Sequence, residues 1–183
     1  VRTYKVARQL GRIPGQDLML FYGDYNYEVP NRKADLVYQH LARLETVAAD
    51  RLRKEGFDIA NVPLVVDMQL HVDFNNPPKL GELFRGDVTE DKLLTNIKRF
   101  GNLGKVWIGE FSIRGGTREQ RTDVVRLVVN GCLKSGGACE SMVFWELMTR
   151  NGFYADGDLL FDHNFQPTET YNALVEILRH GVR

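Results

Sequence analysis

The chain has 183 residues, 43% of them hydrophobic, and its 24 lysines and arginines are balanced by 24 aspartates and glutamates. This length and composition predict one domain or a large part of one, and the balanced charge, without a basic stripe, argues against a nucleic-acid partner. No apolar run approaches the about 20 residues that span a bilayer, so we expect no membrane segment, and the first residues do not have the pattern of a signal peptide.

Helix-like and strand-like segments alternate in the first half of the chain. Val1–Leu10 has a helical period without a capping residue, so we expect this helix to begin upstream. A short apolar strand is predicted at Asp17–Tyr22 and a long amphipathic helix at Asn31–Glu55, which Gly56 closes. A second, buried strand is predicted at Pro63–Val72.

The second half continues the alternation after a segment, DFNNPPKLGELFRGD, that is predicted as a loop. The predicted elements are a helix at Thr89–Leu103, a strand at Lys105–Ile113, a helix at Thr117–Lys134, a strand at Ser141–Leu147 and a helix at Thr168–Leu178. The helix at Thr117 opens with a capping box that Gln120 completes.

The four predicted strands favour a parallel sheet. Each is followed by a loop and a helix, the order of parallel βα units, and each is apolar on both faces, as a covered sheet requires. Two architectures fit this α/β pattern: an open doubly wound sheet, or part of a (β/α)8 TIM barrel. A glycine-rich phosphate-binding turn after the first strand would favour the open sheet, and the segment GDYNYEVP at that place is not such a turn. A whole barrel needs about 250 residues, so this chain would hold about half of one.

Polar and aromatic residues stand at the ends of all four strands, where a barrel places its chemistry. They are Asp24, Tyr25 and Asn26 after the first strand, Gln69 and His71 in the second, Glu110 in the third, and Trp145 and Glu146 in the fourth. Glu110 is a carboxylate in an otherwise apolar strand, which is costly unless it faces a cleft. Each residue alone also has an ordinary structural explanation. Together, carboxylates, amides and aromatic rings are typical of a site that cleaves sugars.

The two cysteines, Cys132 and Cys139, flank the flexible segment LKSGGA. Their spacing allows a disulfide, which would favour an oxidising compartment, and equally allows two free thiols in the cytosol. The four histidines have no metal-ligand spacing, and no C-x-x-C pattern occurs. The sequence therefore predicts no metal site.

Several motifs, in order, resemble one known family. The segments GDYN, MQLHV, WIGEFSI, VFWEL and LLFDHNFQPTETYNALVEIL are similar to the C-terminal half of family 10 glycoside hydrolases, most of which are endo-β-1,4-xylanases. The corresponding family stretches read close to NDYN, QSH, TELDI and VWG. The resemblance covers nearly the whole chain and implies a (β/α)8 barrel of which residues 1–183 form the C-terminal half.

The resemblance also implies roles for individual residues. Glu110 would be the nucleophile of a retaining β-glycosidase, and His71 would hydrogen-bond it and keep it ionised and oriented, with Gln69 close by. The residues expected to contact the substrate are Gln69, Tyr25, Asn26, Trp145 and Phe153. Cys132 and Cys139 match a pair that is disulfide-linked in many members, which favours a secreted protein. No metal or organic cofactor is implied, since the reaction uses carboxylates only.

The chain departs from the family pattern at three positions near this site. Ser112 replaces the aspartate two residues after the nucleophile, Gly23 replaces the first asparagine of NDYN, and Glu146 replaces a glycine. These changes predict altered specificity or reduced activity. The family's acid/base glutamate belongs to an earlier strand upstream of Val1, and Glu146 or Glu28, both predicted at strand ends, could in principle stand in for it.

These observations lead to an expected function and two alternatives. We expect hydrolysis of a β-1,4-linked plant polysaccharide, xylan first, and a polysaccharide or oligosaccharide as the binding partner. The alternatives are a catalytically weakened or inactive carbohydrate-binding barrel, and a barrel glycosidase of another family. Because four strands alone would leave two open sheet edges, we also expect an N-terminal half-barrel in the same or another chain.

Overall fold

The computed structural model describes residues 20–54, 64–75, 83–145 and 159–181. The strands in these ranges are β1 (Leu20–Tyr25), β2 (Leu64–Asp73), β3 (Leu83–Phe84), β4 (Lys105–Arg114) and β5 (Cys139–Phe144). The helices are α1 (Arg32–Lys54), α2 (Glu90–Gly101), α3 (Arg118–Leu133) and α4 (Glu169–His180), with a single 3-10 turn at Arg85–Asp87.

The strands form one parallel sheet in the order β1-β2-β4-β5, and the short β3 pairs with the end of β2. Each long strand therefore lies beside the next long strand along the chain. A doubly wound sheet would reverse its direction at a switch point, whereas a barrel adds each strand on the same side. Helix α3 contacts both α2 and α4, which places these three helices in one layer. The predicted parallel sheet is confirmed, and its strand order is that of a barrel segment.

The core lies between the sheet and the helices. Strand β2 contributes Val66, Met68, Leu70 and Val72, all of them almost completely buried in one cluster with side chains of the helices. Burying each such side chain contributes about 1.5–3 kcal/mol. Because side chains alternate along a strand, the residues between these four point to the opposite side of the sheet. We call that side the inner face; on β2 it carries Asp67, Gln69 and His71.

Side chains at the N-termini fix where three helices begin. The hydroxyls of Thr89, Thr117 and Thr168 each accept a hydrogen bond from a backbone N–H of the first turn. At α3 the predicted capping box is present, because the side chain of Gln120 also accepts a hydrogen bond from the Thr117 N–H at 2.7 Å. Each cap contributes on the order of 1 kcal/mol.

Two strand boundaries and one loop differ from the sequence predictions. The first strand ends at Tyr25 rather than Tyr22, because residues 23–25 continue the parallel pairing with β2 as far as Gln69. The last strand is Cys139–Phe144 rather than Ser141–Leu147. The predicted loop after β2 contains β3, whose two residues pair with Val72 and Asp73. The helix predicted at residues 1–10 lies outside the described residues.

Cys132 and Cys139 form a disulfide that joins the end of α3 to the start of β5. Their Cα atoms are 5.2 Å apart, within the usual range for a bridge. The turn between them places Gly136 and Gly137 at positive φ, a backbone conformation that favours glycine. The disulfide that the family resemblance implies is therefore present. None of the described helices combines the length and apolar character needed to cross a bilayer.

Candidate active site

The inner face is built by four neighbouring strands and is partly open to solvent. Phe21 on β1 and Val143 on β5 are each close to half exposed there, although both are large and apolar. The ring of Phe21 packs edge-on against Trp107 of β4, with 5.0 Å between the ring centroids. Polar side chains of β2 and β4 lie between these apolar ones. The inner face thus combines polar side chains with exposed apolar ones, as small-molecule binding sites do.

A β-bulge in β4 determines which way Glu110 points. Between the pairs Asp67–Trp107 and Gln69–Glu110, β2 advances by two residues and β4 by three. Without this extra residue, alternation would turn Glu110 to the opposite face from Trp107. With it, both side chains lie on the inner face. The sequence carries one signal of the bulge, Gly109 inside an apolar strand pattern.

Glu110 contacts two side chains of the neighbouring strand. The Gln69 amide nitrogen donates a hydrogen bond to Glu110 Oε1 at 3.2 Å. His71 Nε2 lies 3.3 Å from Glu110 Oε2. The Glu110 side chain keeps 23% of its exposure, whereas that of His71 keeps 10%. The structure therefore brings three of the predicted site residues together, with His71 buried and the Glu110 carboxylate partly accessible.

Burial sets the charge state of this pair. Burial lowers the pKa of His71, so its ring is neutral near neutral pH. Burial also raises the pKa of Glu110, and the negative charge of Asp67 raises it further. With a neutral imidazole, the 3.3 Å approach of His71 Nε2 to Glu110 Oε2 is a polar contact rather than an ion pair.

Ser112 completes a short chain of hydrogen bonds behind Glu110. Its hydroxyl oxygen lies 2.7 Å from His71 Nδ1, and both residues are buried. An ionised Glu110 can only accept a hydrogen bond, so the proton of the neutral ring must be on Nε2. Nδ1 is then an acceptor and the Ser112 hydroxyl donates to it. A serine therefore orients the ring where the resemblance leads one to expect an aspartate.

The end of β1 places two more predicted residues near the same edge of the sheet. The Tyr25 ring is 37% exposed, and the ammonium group of Lys33 lies 4.2 Å from its centroid. Lys33 also donates to the Tyr25 carbonyl and pairs with Asp24. Asn26 has a φ of 60°, and Asn31 donates to its carbonyl at 3.0 Å. Sequence reasoning missed Lys33, because it lies in the first turn of α1 and not at the end of a strand.

The remaining candidates are not joined to Glu110 in the described structure. Trp145 follows β5, is 54% exposed, and its backbone N–H donates to Phe111 at 2.9 Å. Phe153 and Glu146 lie outside the described residues. The expectation that Glu28 could stand in as the acid/base is wrong, because its side chain is completely buried. Burial raises the pKa of Glu28 to about 8. Within the described ranges, no group of three or more His, Cys, Asp or Glu could hold a metal ion.

Known proteins resemble this chain over nearly its whole length. Two curated relatives are each 25% identical: endo-1,4-beta-xylanase B of Thermotoga neapolitana, over 181 residues, and endo-1,4-beta-xylanase B of Neocallimastix patriciarum, over 183 residues. The matches cover 91% and 97% of this chain but only 45% and 18% of the relatives. The chain therefore spans less than half the length of these two proteins.

Solved structures of xylanases have a similar fold over nearly the whole of this chain. A glycosylated endo-beta-1,4-xylanase from Gloeophyllum trabeum matches with a TM-score of 0.70 and 25% identity, over 97% of this chain and 51% of that one. The endo-1,4-beta-xylanase of Penicillium canescens matches with a TM-score of 0.68 and 19% identity, over 96% and 50%. The chain thus has the fold of half a (β/α)8 barrel. The model of "Glycosyl hydrolase family 10" matches residues 1–177, nearly the whole chain, and the chain therefore belongs to glycosyl hydrolase family 10.

Proposed function

We propose that the protein carrying this chain is a retaining β-glycosidase that hydrolyses β-1,4-linked plant polysaccharide, with xylan as its first candidate substrate. The observation that carries the proposal is the accessible carboxylate of Glu110, held by Gln69 at 3.2 Å and His71 at 3.3 Å on the inner face. The names of the two curated relatives, both endo-1,4-beta-xylanases, support the choice of substrate.

In this proposal Glu110 attacks the anomeric carbon of the sugar. The bond between that carbon and the leaving oxygen breaks, the leaving oxygen takes a proton from an acid/base residue, and a covalent glycosyl-enzyme forms. Water then attacks the same carbon, releases Glu110 and returns a proton to the acid/base residue. The two donors on Glu110 limit the rotation of its carboxylate and favour its ionised form.

The acid/base residue must come from outside the described residues. Retaining glycosidases hold it about 5–5.5 Å from the nucleophile. Glu28 is buried in the core and does not meet this requirement. We propose that residues 1–183 are the C-terminal half of the barrel domain and that an N-terminal half-barrel, in the same or another chain, supplies the acid/base glutamate.

The edges of the sheet support this second half. In the described residues β1 and β5 each pair on one side only, so both have an open edge. A groove of about 480 Å³ runs along the outer edge of β5, lined by Leu133, Met142, Leu174 and Leu178 among others. Open edges and apolar grooves of this kind normally pack against further structure. A well-folded, monodisperse monomer of residues 1–183 would argue against a required second half.

The proposed substrate contacts come from Gln69, Tyr25, Asn26, Trp145 and Phe153. Tyr25 is the best supported of these, because Lys33 holds the ring in a fixed position and leaves 37% of the residue exposed. An exposed aromatic face that is already ordered binds a sugar ring without a further loss of side-chain entropy. The Cys132–Cys139 disulfide supports a secreted protein, since such bonds persist in oxidising compartments.

A mechanism-based inhibitor tests this function. A 2-deoxy-2-fluoro-β-xylobioside with a good leaving group should label Glu110 covalently, as located by peptide mass mapping. The variant Glu110→Gln should not be labelled, whereas Glu140→Gln, which removes an exposed carboxylate paired with Lys105, should react like the parent protein. A panel of aryl xylosides, cellobiosides and mannosides then identifies the sugar.

One observation favours a second candidate, a carbohydrate-binding barrel without turnover. The imidazole that contacts Glu110 is hydrogen-bonded to neutral Ser112 rather than to a carboxylate, and a charged partner is what normally strengthens such a histidine. No labelling of Glu110 together with retained binding of xylan would favour this candidate over the glycosidase.

A further inference from the structure

Asp67 lies in a slot between two glycines on the inner face. It precedes Gln69 by two residues on β2, and it is the β-sheet partner of Gly23 on β1. A Cβ atom added at Gly109 of β4 would lie 1.9 Å from Asp67 Oδ1, and one added at Gly23 would lie 3.0 Å from Oδ2. The carboxylate therefore occupies space that exists only because the residues on both sides lack side chains.

The slot adjoins the bulge that orients Glu110. Gly109 is the residue directly before Glu110 and lies within the bulge. Burial raises the pKa of Asp67, and the backbone N–H of Gly109 acts in the opposite direction by favouring the charged carboxylate. On the other side, the Tyr27 hydroxyl donates to the Asp67 carbonyl at 2.8 Å. Asp67 is thus fixed through its backbone while its carboxylate rests against the peptide that precedes Glu110.

Among the described residues, the other carboxylates of β1, β2 and β5 each lie close to a cation, and Asp73 at the end of β2 lies 3.9 Å from Arg114 of β4. From β2, Glu110 faces the neutral ring of His71 and the uncharged amide of Gln69. The carboxylate of Glu140 on β5 is paired with Lys105 at 2.7 Å. On the other side of Asp67, the carboxylate of Asp24 is paired with Lys33. Burial is the larger cause of the raised pKa of Glu110, and the negative charge of Asp67 raises that pKa further.

We propose that Asp67 is a positioning residue of this site, a second carboxylate that acts on Glu110 from the layer of side chains beneath it. The proposal rests on the proposed role of Glu110 as nucleophile. Glu110 must lose its proton before it can attack, and a like charge nearby makes that loss harder. The charge of Asp67 therefore moves the acid limb of the pH–activity profile to higher pH than it would have without that charge.

The test compares Asp67→Asn, which keeps the shape and removes the charge, with Glu140→Gln, which removes a carboxylate elsewhere in the same sheet. The carbon-13 NMR signal of the Glu110 carboxyl group, assigned by its loss in Glu110→Gln, is titrated in each protein. We expect the midpoint of Glu110 to move to lower pH in Asp67→Asn and to stay in place in Glu140→Gln. The acid limb of kcat/KM should move in the same direction. If Asp67→Asn folds poorly, Asp67→Ser is titrated in its place.

The outcomes separate this inference from the proposed function. If the midpoint moves but no variant and no parent protein hydrolyses a glycoside, the inference about Asp67 stands and the glycosidase function fails. If the parent protein is labelled at Glu110 but its midpoint is the same with and without the Asp67 charge, the inference is overturned and the function stands.

A double-mutant cycle tests the slot itself. Gly109→Ala should lower the melting temperature in the parent protein, because the new methyl group collides with the Asp67 carboxylate. In an Asp67→Gly background the same change should cost much less, because the colliding atoms are gone. Equal losses in both backgrounds would contradict the contact between Asp67 and Gly109 on which the inference depends.

Discussion

Replacing Ser112 by alanine tests the hydrogen-bond chain behind Glu110. The change removes the hydroxyl that lies 2.7 Å from His71 Nδ1. Both residues are at least 92% buried, Ser112 at 2% and His71 at 8% relative exposure, so water does not readily replace the lost donor. Loss of one partner of a buried hydrogen bond costs about 1–3 kcal/mol. We expect the free energy of unfolding to fall by about that amount.

The same change should also reduce activity. The Ser112 hydroxyl favours the His71 tautomer that carries its proton on Nε2, and this tautomer directs the N–H toward Glu110. Without the hydroxyl, this tautomer is no longer favoured. A loss of about 1.4 kcal/mol of this preference in the transition state corresponds to about a tenfold fall in kcat/KM. Urea unfolding followed by tryptophan fluorescence and steady-state kinetics on an aryl β-xylobioside measure the two effects. Ser141→Ala, a hydroxyl removed from the adjacent strand β5, is the matched control.

The complementary variant Ser112→Asp should shift the pH dependence of activity in a defined direction. A carboxylate beside Nδ1 raises the pKa of His71, and the resulting imidazolium favours ionised Glu110. The acid limb of kcat/KM should therefore move to lower pH. An alanine variant as stable and active as the parent, or an aspartate variant whose acid limb is unmoved, would refute the reasoning.

Three further predictions concern stability, each measured by urea unfolding. Replacing Cys132 and Cys139 together by alanine should cost about 2 kcal/mol, the chain-entropy value for a loop with a separation of seven residues; no loss would contradict it. The free energy of unfolding of Glu28→Gln, relative to that of the parent protein, should rise as pH rises from 4.5 toward 8. In this range the folded parent keeps the proton of Glu28, whose pKa is about 8, whereas the unfolded chain releases it, so the parent loses stability. A difference in stability that does not depend on pH would exclude this linkage. Gly104→Ala should lower the free energy of unfolding by about 2–4 kcal/mol, because its Cβ would lie 2.2 Å from the Leu64 carbonyl oxygen. An unchanged free energy of unfolding would contradict the close approach of these two backbone segments.

The sequence predicts the fold well because the fold depends on local patterns. Alternating apolar strands and capped amphipathic helices require only short segments of sequence to be recognised, and the parallel sheet followed from their order. The boundary of β1 was wrong because Asp24 looks like a turn residue, whereas its backbone continues the pairing with Met68 of β2. The short β3 was missed because two residues carry no periodic signal.

The candidate site is predictable in composition but not in arrangement. Strand-end position was enough to single out Glu110, Gln69 and His71, which the structure brings together. The bulge that turns Glu110 inward and the slot that holds Asp67 depend on the register between β2 and β4, which no single segment encodes. Ser112 was read as the loss of a support. Only the distance to His71 identifies it as a hydrogen-bond partner.

Chemical rescue of a Glu110→Gly variant tests the central claim most directly. Removal of the carboxylate should abolish hydrolysis of an aryl β-xylobioside, and added sodium azide should restore turnover by attacking the anomeric carbon from the vacated side. The product predicted by the account is the α-glycosyl azide, identified by proton NMR. A Glu110→Gly variant that keeps the activity of the parent protein, or that forms no α-glycosyl azide while still binding the substrate, would contradict a nucleophilic role for Glu110.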